Sequence, residues 1–387
     1  MTNFHSDSSL NWDPYFIICG KKFDDFWKSH LESRSRKVLY ILALGFDPRM
    51  LNGLSRILKF SNSIEDFKCI LIKYDEGPSS PSLRYRSFVE KNTEEFEKLK
   101  GKFSIFEEKQ IKLWSDNSIT RRRIGDSEAI NIIGNFENIQ DFTDIIVDIS
   151  AMPKGLYFSL IAKILHLLEN EEKLPKKDLP NFFTIVSENT ELDELIEDSG
   201  IDEDPKLMRG YAKELERYAI AEIPYIWIPI LGEHKKIQLE NIHKWRKPDE
   251  IYPILPSPSI NPRRGDDIIS EYHQLLFDEW NVEPKNVMYA DESNPFDAYR
   301  QIFYLVREHT KVLAPLGKCR VAISSDSSKL ISLGALLAAY DLLKQNMSVG
   351  IINIEADGYD IKTPERLFDL NRKSDLYTLL LYHDERK

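Results

Sequence analysis

Several features that would settle a function outright are missing from this sequence. Only three cysteines occur in 387 residues, Cys19, Cys69 and Cys319. They are far apart and match no metal-binding spacing, which argues against a cysteine zinc site and fits a reducing cytoplasm. The eight histidines form neither HxxxH nor HExxH, so a histidine-based metal centre is not expected. No run of about 18 apolar residues is present, so no transmembrane helix is expected. The first residues, MTNFHSDSSLNWD, carry neither a basic stretch nor an apolar core, and no secretory leader is expected. Positive charge is also in deficit: 52 Lys and Arg face 63 Asp and Glu, a formal net charge of −11. Sequence-independent binding to duplex DNA needs a basic surface, so bulk duplex binding is not expected. Catalytic signatures are lacking as well. There is no Ser–His–Asp order with a nucleophile elbow, no G-x-x-x-x-G-K-[ST] phosphate loop, and no Arg separated from a following His by four to six residues.

What is present points to a large, layered α/β protein. Hydrophobic residues at 42% and aromatics at 11% supply material for a substantial core, and the length suits two domains. KVLYILAL (37–44), FKCILIKY (67–74), DIIVDIS (144–150) and NFFTIVSEN (181–189) are continuous apolar runs, as expected of strands buried on both faces. FSIFEEKQIKLW (103–114) adds a further strand. Helical patterns lie between them, SPSLRYRSFVEKNTEEFEKLKG (80–101) and GLYFSLIAKILHLLENEEK (155–173). A charge-rich stretch over 171–215 follows, and a second unit opens with YAIAEIPYIWIPILG (218–232). It again alternates strands (250–256, 286–290, 318–324, 347–356) with helices (266–282, 295–315 and from Lys329). Strands alternating with helices of this length imply βαβ units and parallel sheets. The expected architecture is two tandem Rossmann-like lobes, each with a mostly parallel sheet flanked by helices, over residues 1–220 and 221–387.

In open α/β sheets, ligands bind beyond the carboxyl ends of the strands. Four loops occupy that position. GFDPRM (45–50) offers Gly45 for close backbone approach, Asp47 as a cap with Pro48 behind it, and Arg49 to face an anion. DISAMPKGLYF (148–158) offers Ser150 and Lys154. A lysine opening a helix opposes the helix dipole unless an anion sits there. LPSPSINPRRGDD (255–267) carries Ser257, Arg263 and Arg264, and adjacent arginines can hold phosphate oxygens bidentately. ISSDSSKLISLGALLAA (323–339) carries Ser327, Ser328 and Lys329, with Asp326 or a serine able to cap the helix. Each of these loops also has a plain reading as a turn, a cap or a solvated surface. The basic clusters RSRK (34–37), RRR (121–123) and PRRG (262–265), scattered on an acidic chain, suit a small anionic ligand better than a polymer.

Two of the loops correspond. DISAMPKGLYFSLIA and ISSDSSKLISLGALLAA both run from a buried strand through serine to a lysine and an apolar helix with small residues. The pair reads as a distant internal repeat, with the two lysine loops around one shared site.

The segment SDSSKLISLGALLAA resembles the loop and helix of CARF domains, whose pattern is a strand, a Gly-Gly-Thr-Lys-like turn and an apolar helix. Lys329 falls on the lysine, and Gly334, Ala338 and Ala339 on the small residues of the helix. The two glycines are absent, and the strict likeness covers about 25 residues, extending beyond them only at fold level. CARF domains pair and bind cyclic oligonucleotides, and the related SAVED domain fuses two CARF-like units in one chain. The resemblance implies a cytoplasmic nucleotide-binding sensor of a prokaryotic antiviral defence system. It would hold its anionic ligand between the lobes, without a membrane, and act on a separate effector protein. Ligand contacts carry over to Ser327, Ser328 and Lys329 and, through the repeat, to Ser150 and Lys154. No cofactor is expected on this reading.

Two alternatives remain open. A nucleotide-processing phosphohydrolase or nuclease could use Asp291, Glu292 and Asp148 with Mg2+. In that stretch, YADESNPFDAYRQ (289–301), Asn294 and Pro295 could equally cap a helix while Arg300 pairs with an acid. GEHKK (232–236) is similar to the E-x-K of restriction-type nucleases, without an upstream Asp to complete it. Alternatively, the lobes could serve assembly alone.

Overall fold

The computed structural model describes residues 10–77, 80–115, 123–172, 175, 178–200, 205–211, 215, 223–316, 319–354, 356 and 358–383. The chain forms two compact units. The first lobe comprises Ile17–Glu203 with Ile354–Lys387, and the second comprises Met1–Phe16 with Asp204–Asn353. In chain order the strands are β1 (Ile17–Cys19), β2 (Arg36–Leu44), β3 (Ile64–Asp75), β4 (Ile105–Lys112), β5 (Asp144–Asp148), β6 (Asn181–Glu188), β7 (Ile196–Asp198) and β8 (Lys206–Leu207). They continue with β9 (Tyr225–Ile230), β10 (Glu250–Ile251), β11 (Ile254–Pro256), β12 (Met288–Ala290), β13 (Arg320–Ser325), β14 (Val349–Asn353), β15 (Tyr359–Ile361) and β16 (Asp375–Tyr382).

In the first lobe the sheet runs β1-β16-β6-β5-β2-β3-β4. β2 to β6 are mutually parallel. Numbered by appearance, these five strands lie in the order 3-2-1-4-5, the doubly wound arrangement. β2 is apolar at both parities because both its faces are covered. Val38, Tyr40, Leu42 and Leu44 face a cluster with Phe23, Trp27 and Leu31 of the helix Lys22–Glu32 and Leu54 and Ile57 of the helix Asn52–Ile57. Leu39, Ile41 and Ala43, on the opposite face, are equally buried. The helix Lys154–Glu169 packs against the helix Gly125–Ile133.

The second lobe repeats the plan. Its sheet runs β12-β11-β9-β13-β14-β8, with β10 also on β9. Five parallel strands again take the order 3-2-1-4-5. An antiparallel strand flanks the fifth in each lobe, β16 beside β6 and β8 beside β14. The two strand–Ser–Lys–helix segments of the sequence are the fourth strand and following helix of their lobes. The helix Lys329–Lys344 is buried without interruption from Leu330 to Leu342, as an all-round apolar helix must be. Gly334 lets it approach the helix Pro295–Leu313, because a Cβ there would lie 2.2 Å from the Pro295 carbonyl oxygen.

Lobe membership does not follow chain order. The expected junction at 220/221 lies outside the described residues. β16 falls in the range assigned to the second lobe, yet it belongs to the first. The open edge of β6 offers its backbone an antiparallel ladder along the strand, and the Trp27 Nε1–H donates to Thr378 Oγ1 at 2.9 Å. Residues 10–16, assigned to the first lobe, pack on the second. There Trp12 is fully buried and meets Tyr299 edge-on at 5.3 Å, and the Asn11 backbone N–H donates to Tyr299 Oη at 2.9 Å. Among the described residues no helix is long and apolar enough to cross a membrane.

Candidate functional site

In the 3-2-1-4-5 order, strands 1 and 4 are neighbours whose connections leave in opposite directions, and this switch point opens a crevice at their carboxyl ends. In the first lobe the loops after β2 and β5 flank it, so Gly45, Asp47 and Arg49 share an end of the sheet with Ser150 and Lys154. The polar groups of Asp47, Arg49 and Ser150 are spent internally. Asp47 caps the short turn Pro48–Leu51 by accepting from the Arg49 backbone N–H at 2.9 Å, with Pro48 in its first turn. Arg49, expected to face an anion, faces two carboxylates of its own lobe. It bonds Asp47 Oδ2 through Nη2 and Asp193 Oδ1 through Nη1, both at 2.7 Å, and only 3% of it is exposed. Burial opposes its charge, but Asp193 and Asp47 outweigh burial and push its pKa up. The Gly45 carbonyl accepts from Asn92 Nδ2 at 2.9 Å, and a Cβ on Gly45 would lie 2.7 Å from Tyr74 Oη. Ser150 is fully buried. It donates to Asp148 Oδ1 at 2.5 Å and accepts from the Ser187 N–H at 2.9 Å, while Tyr40 Oη donates to Asp148 Oδ2 at 2.7 Å. Lys154 opens its helix half-buried, behind Pro153, which provides no side-chain cap.

The second lobe is arranged differently. Gly232, just beyond β9, lies so close to the loop after β13 that a Cβ would stand 2.1 Å from the Asp326 carbonyl oxygen and 3.2 Å from Ser327 Cα. The helix cap is Ser328, whose Oγ accepts from the Ile331 N–H at 3.4 Å. Asp326, the other cap candidate, sits two residues too early for that role. Ser324 and Ser325 look inward, Ser324 Oγ accepting from Trp227 Nε1 at 3.0 Å and Ser325 Oγ meeting Ser332 Oγ at 2.7 Å. Ser327 Oγ is buried and has no hydrogen-bond partner among the described residues. Lys329, half-buried, is the first residue of the helix.

The next loops bring Arg264 to the same end of the sheet. Its Nε and Nη2 donate to the two oxygens of Glu233 at 2.6 and 2.7 Å, and its Nη1 bonds Glu292 Oε1. Burial raises the Glu233 pKa, but the Arg264 hydrogen bonds and charge bring it below the ordinary glutamate value. Burial dominates at Glu292 and leaves its pKa raised despite Arg264. Arg263 is exposed, its backbone N–H donating to Asn261 Oδ1 at 3.1 Å. The Ser257 N–H donates to the Ala290 carbonyl at 2.8 Å, holding its loop on the end of β12.

The structure therefore joins Arg264, Ser327, Ser328 and Lys329 at one end of one sheet. It adds Glu233 and Gly232, which only the faint E-x-K of GEHKK could have suggested. The carboxylates of the enzymatic alternative are engaged otherwise. Asp148 holds Tyr40 and Ser150, Glu292 holds Arg264, and Asp291 Oδ1 accepts from Ser293 N and Oγ at 2.8 and 2.7 Å. Asn294 caps the next helix and Arg300 pairs with Asp13 at 3.0 Å. No group of three or more His, Cys, Asp or Glu side chains poised for a metal ion occurs among the described residues. Of the basic clusters, Arg121 and Arg122 lie outside the described residues, and Arg123 stands over the Trp114 ring at 4.7 Å. Arg36 is buried against Asp144. No protein-family model matches this chain, and neither does any curated protein.

Proposed function

We propose that the second lobe binds a small anionic ligand of the nucleotide class at the carboxyl ends of β9, β11 and β13. On this reading the protein is the ligand-sensing subunit of a prokaryotic antiviral defence system, cytoplasmic, signalling to a separate effector protein. The observation that carries the reading is the Ser327 hydroxyl. It is buried at the switch point with no partner among the described residues, between a loop held tight by Gly232 and the lysine that opens the helix. A buried hydroxyl without a partner is costly, and a ligand oxygen would relieve that cost. Further support comes from the CARF-like SDSSKLISLGALLAA segment, which runs from the last residue of strand 4 through its loop into the following helix of this lobe. The engagement of Asp148, Asp291 and Glu292 by neighbouring side chains and backbone favours binding over metal-assisted hydrolysis.

Calorimetry of the purified protein against a panel of nucleotides and cyclic oligonucleotides tests the reading. One class is expected to bind, and Ser327→Ala and Lys329→Ala each to weaken it. A hydrogen bond to a charged group contributes about 1.5–3 kcal/mol, which corresponds to roughly 10- to 150-fold in Kd. Absence of binding across the panel, or binding indifferent to both substitutions, sinks the proposal.

A further inference from the structure

We propose that Glu233 is a built-in competitor for the Arg264 guanidinium, a latch that an incoming anion displaces from the second-lobe crevice. The inference rests on the ligand-binding reading above and adds how that site would be kept closed until ligand arrives.

The contact has the geometry of anion recognition. Two parallel N–H donors, Nε and Nη2, meet the two oxygens of one carboxylate at 2.6 and 2.7 Å. A guanidinium presents the same fork to phosphate, so Glu233 occupies the position a phosphate would take on Arg264. The third contact, from Nη1 to Glu292, belongs to a different kind of partner. The Glu292 side chain is 8% exposed, and its other oxygen accepts from the Ile260 N–H at 3.2 Å. Its own backbone N–H is tied to the Pro258 carbonyl at 3.0 Å. Glu292 is fixed and keeps Arg264 in place.

Glu233 is the partner able to leave. Its side chain is 34% exposed, so swinging into water restores its hydration at little cost. It also directly follows Gly232, whose Cα lies against Asp326 and Ser327. Withdrawal of Glu233 therefore frees the Arg264 fork at the same end of the sheet as the Ser327 hydroxyl. Charge works in the same direction. While it holds the fork, the Glu233 carboxylate repels an incoming anion, and its withdrawal into water lifts that repulsion.

Titration calorimetry with inorganic pyrophosphate on the full chain provides the test. Glu233→Gln, which keeps the size and loses the charge, is expected to bind up to roughly five-fold tighter than the wild type, the range a partly exposed pair supports. Adding Arg264→Gln to Glu233→Gln is expected to abolish the gain. Glu233→Asp, one methylene too short to hold the fork, is expected to bind tighter as well, and it decides the matter should Glu233→Gln fail to fold. Pyrophosphate binding no tighter in Glu233→Gln and Glu233→Asp than in the wild type overturns the latch, including the case in which none of them binds. If the nucleotide panel still shows binding that depends on Ser327 and Lys329, the latch alone has failed. If the panel shows none, the ligand-binding reading has failed too.

Discussion

Alanine at Gly232 tests the packing on which the second-lobe crevice depends. The new Cβ would stand 2.1 Å from the Asp326 carbonyl oxygen, 3.1 Å from its carbon and 3.2 Å from Ser327 Cα. Carbon and carbonyl oxygen normally approach no closer than about 3.3 Å, so roughly 1.2 Å must be opened. The obstructing atoms are backbone and cannot rotate aside. Asp326 is also pinned from the other side, its N–H donating to the Ile230 carbonyl at 3.1 Å. Overpacking of this kind costs about 1–3 kcal/mol. A second effect has the opposite sign. Gly232 is not among the glycines with positive φ, so alanine is conformationally tolerated and, by restricting the unfolded chain, would stabilise by about 0.4–1 kcal/mol. The steric cost is the larger of the two. The urea midpoint of Gly232→Ala is therefore expected to fall, and binding of any ligand that uses Ser327 to weaken with it. Gly101→Ala is the control: it has nothing within 4 Å of a new Cβ and a helical φ of −66°, and its midpoint is expected to hold or rise. A Gly232→Ala midpoint at or above the wild type would refute the close approach of the two loops.

Asp144 is expected to anchor the amino ends of β2 and β5. It is fully buried, bonded to His30 Nε2 at 2.8 Å, Asn181 Nδ2 at 2.8 Å and Thr143 Oγ1 at 2.7 Å, with Arg36 Nη1 at 3.3 Å. Burial would raise its pKa, but the His30, Arg36 and Asn181 contacts outweigh burial and hold it below the ordinary aspartate value. Because folding depresses this pKa, the stabilisation is present above the ordinary aspartate value and is lost as pH falls through the folded one. Asp144→Asn, which leaves the Arg36 charge buried and uncompensated, is expected to cost about 3–5 kcal/mol at pH 7. In urea titrations at several pH values the gap to the wild type should close towards acid, and a pH-independent gap would contradict the assignment. Trp12→Ala removes a fully buried ring from the second lobe and is expected to cost about 3–5 kcal/mol. A change below 1 kcal/mol in the same titration would show that residues 10–16 are not part of that lobe's core.

Much of the scaffold was legible in local pattern. KVLYILAL is apolar at both parities, and only a strand covered on two faces needs that. The Ser–Lys loop of DISAMPK matched that of SDSSK because each follows the fourth strand of its lobe. The helix Lys22–Glu32 and the strand β16 were not legible in this way. DLYTLLLYH at 375–383 stands far in sequence from the β6 edge it completes. The cap was half legible: a serine or Asp326 was expected, and the backbone path chose Ser328.

By itself the sequence determined the kinds of element, their alternation and the paired strand–serine–lysine–helix segments, because helix and strand periods are set by neighbours a few residues apart. Only the tertiary structure decided what each polar side chain does. Ser150 and Ser327 each precede a helix-opening lysine, yet the first is saturated by Asp148 and Ser187 while the Ser327 hydroxyl is buried with no partner among the described residues. Arg49 meets Asp193 and Arg264 meets Glu233 and Glu292 across separations of 144, 31 and 28 residues. Such a pairing depends on which loops the sheet order brings to one end, and no local pattern encodes that.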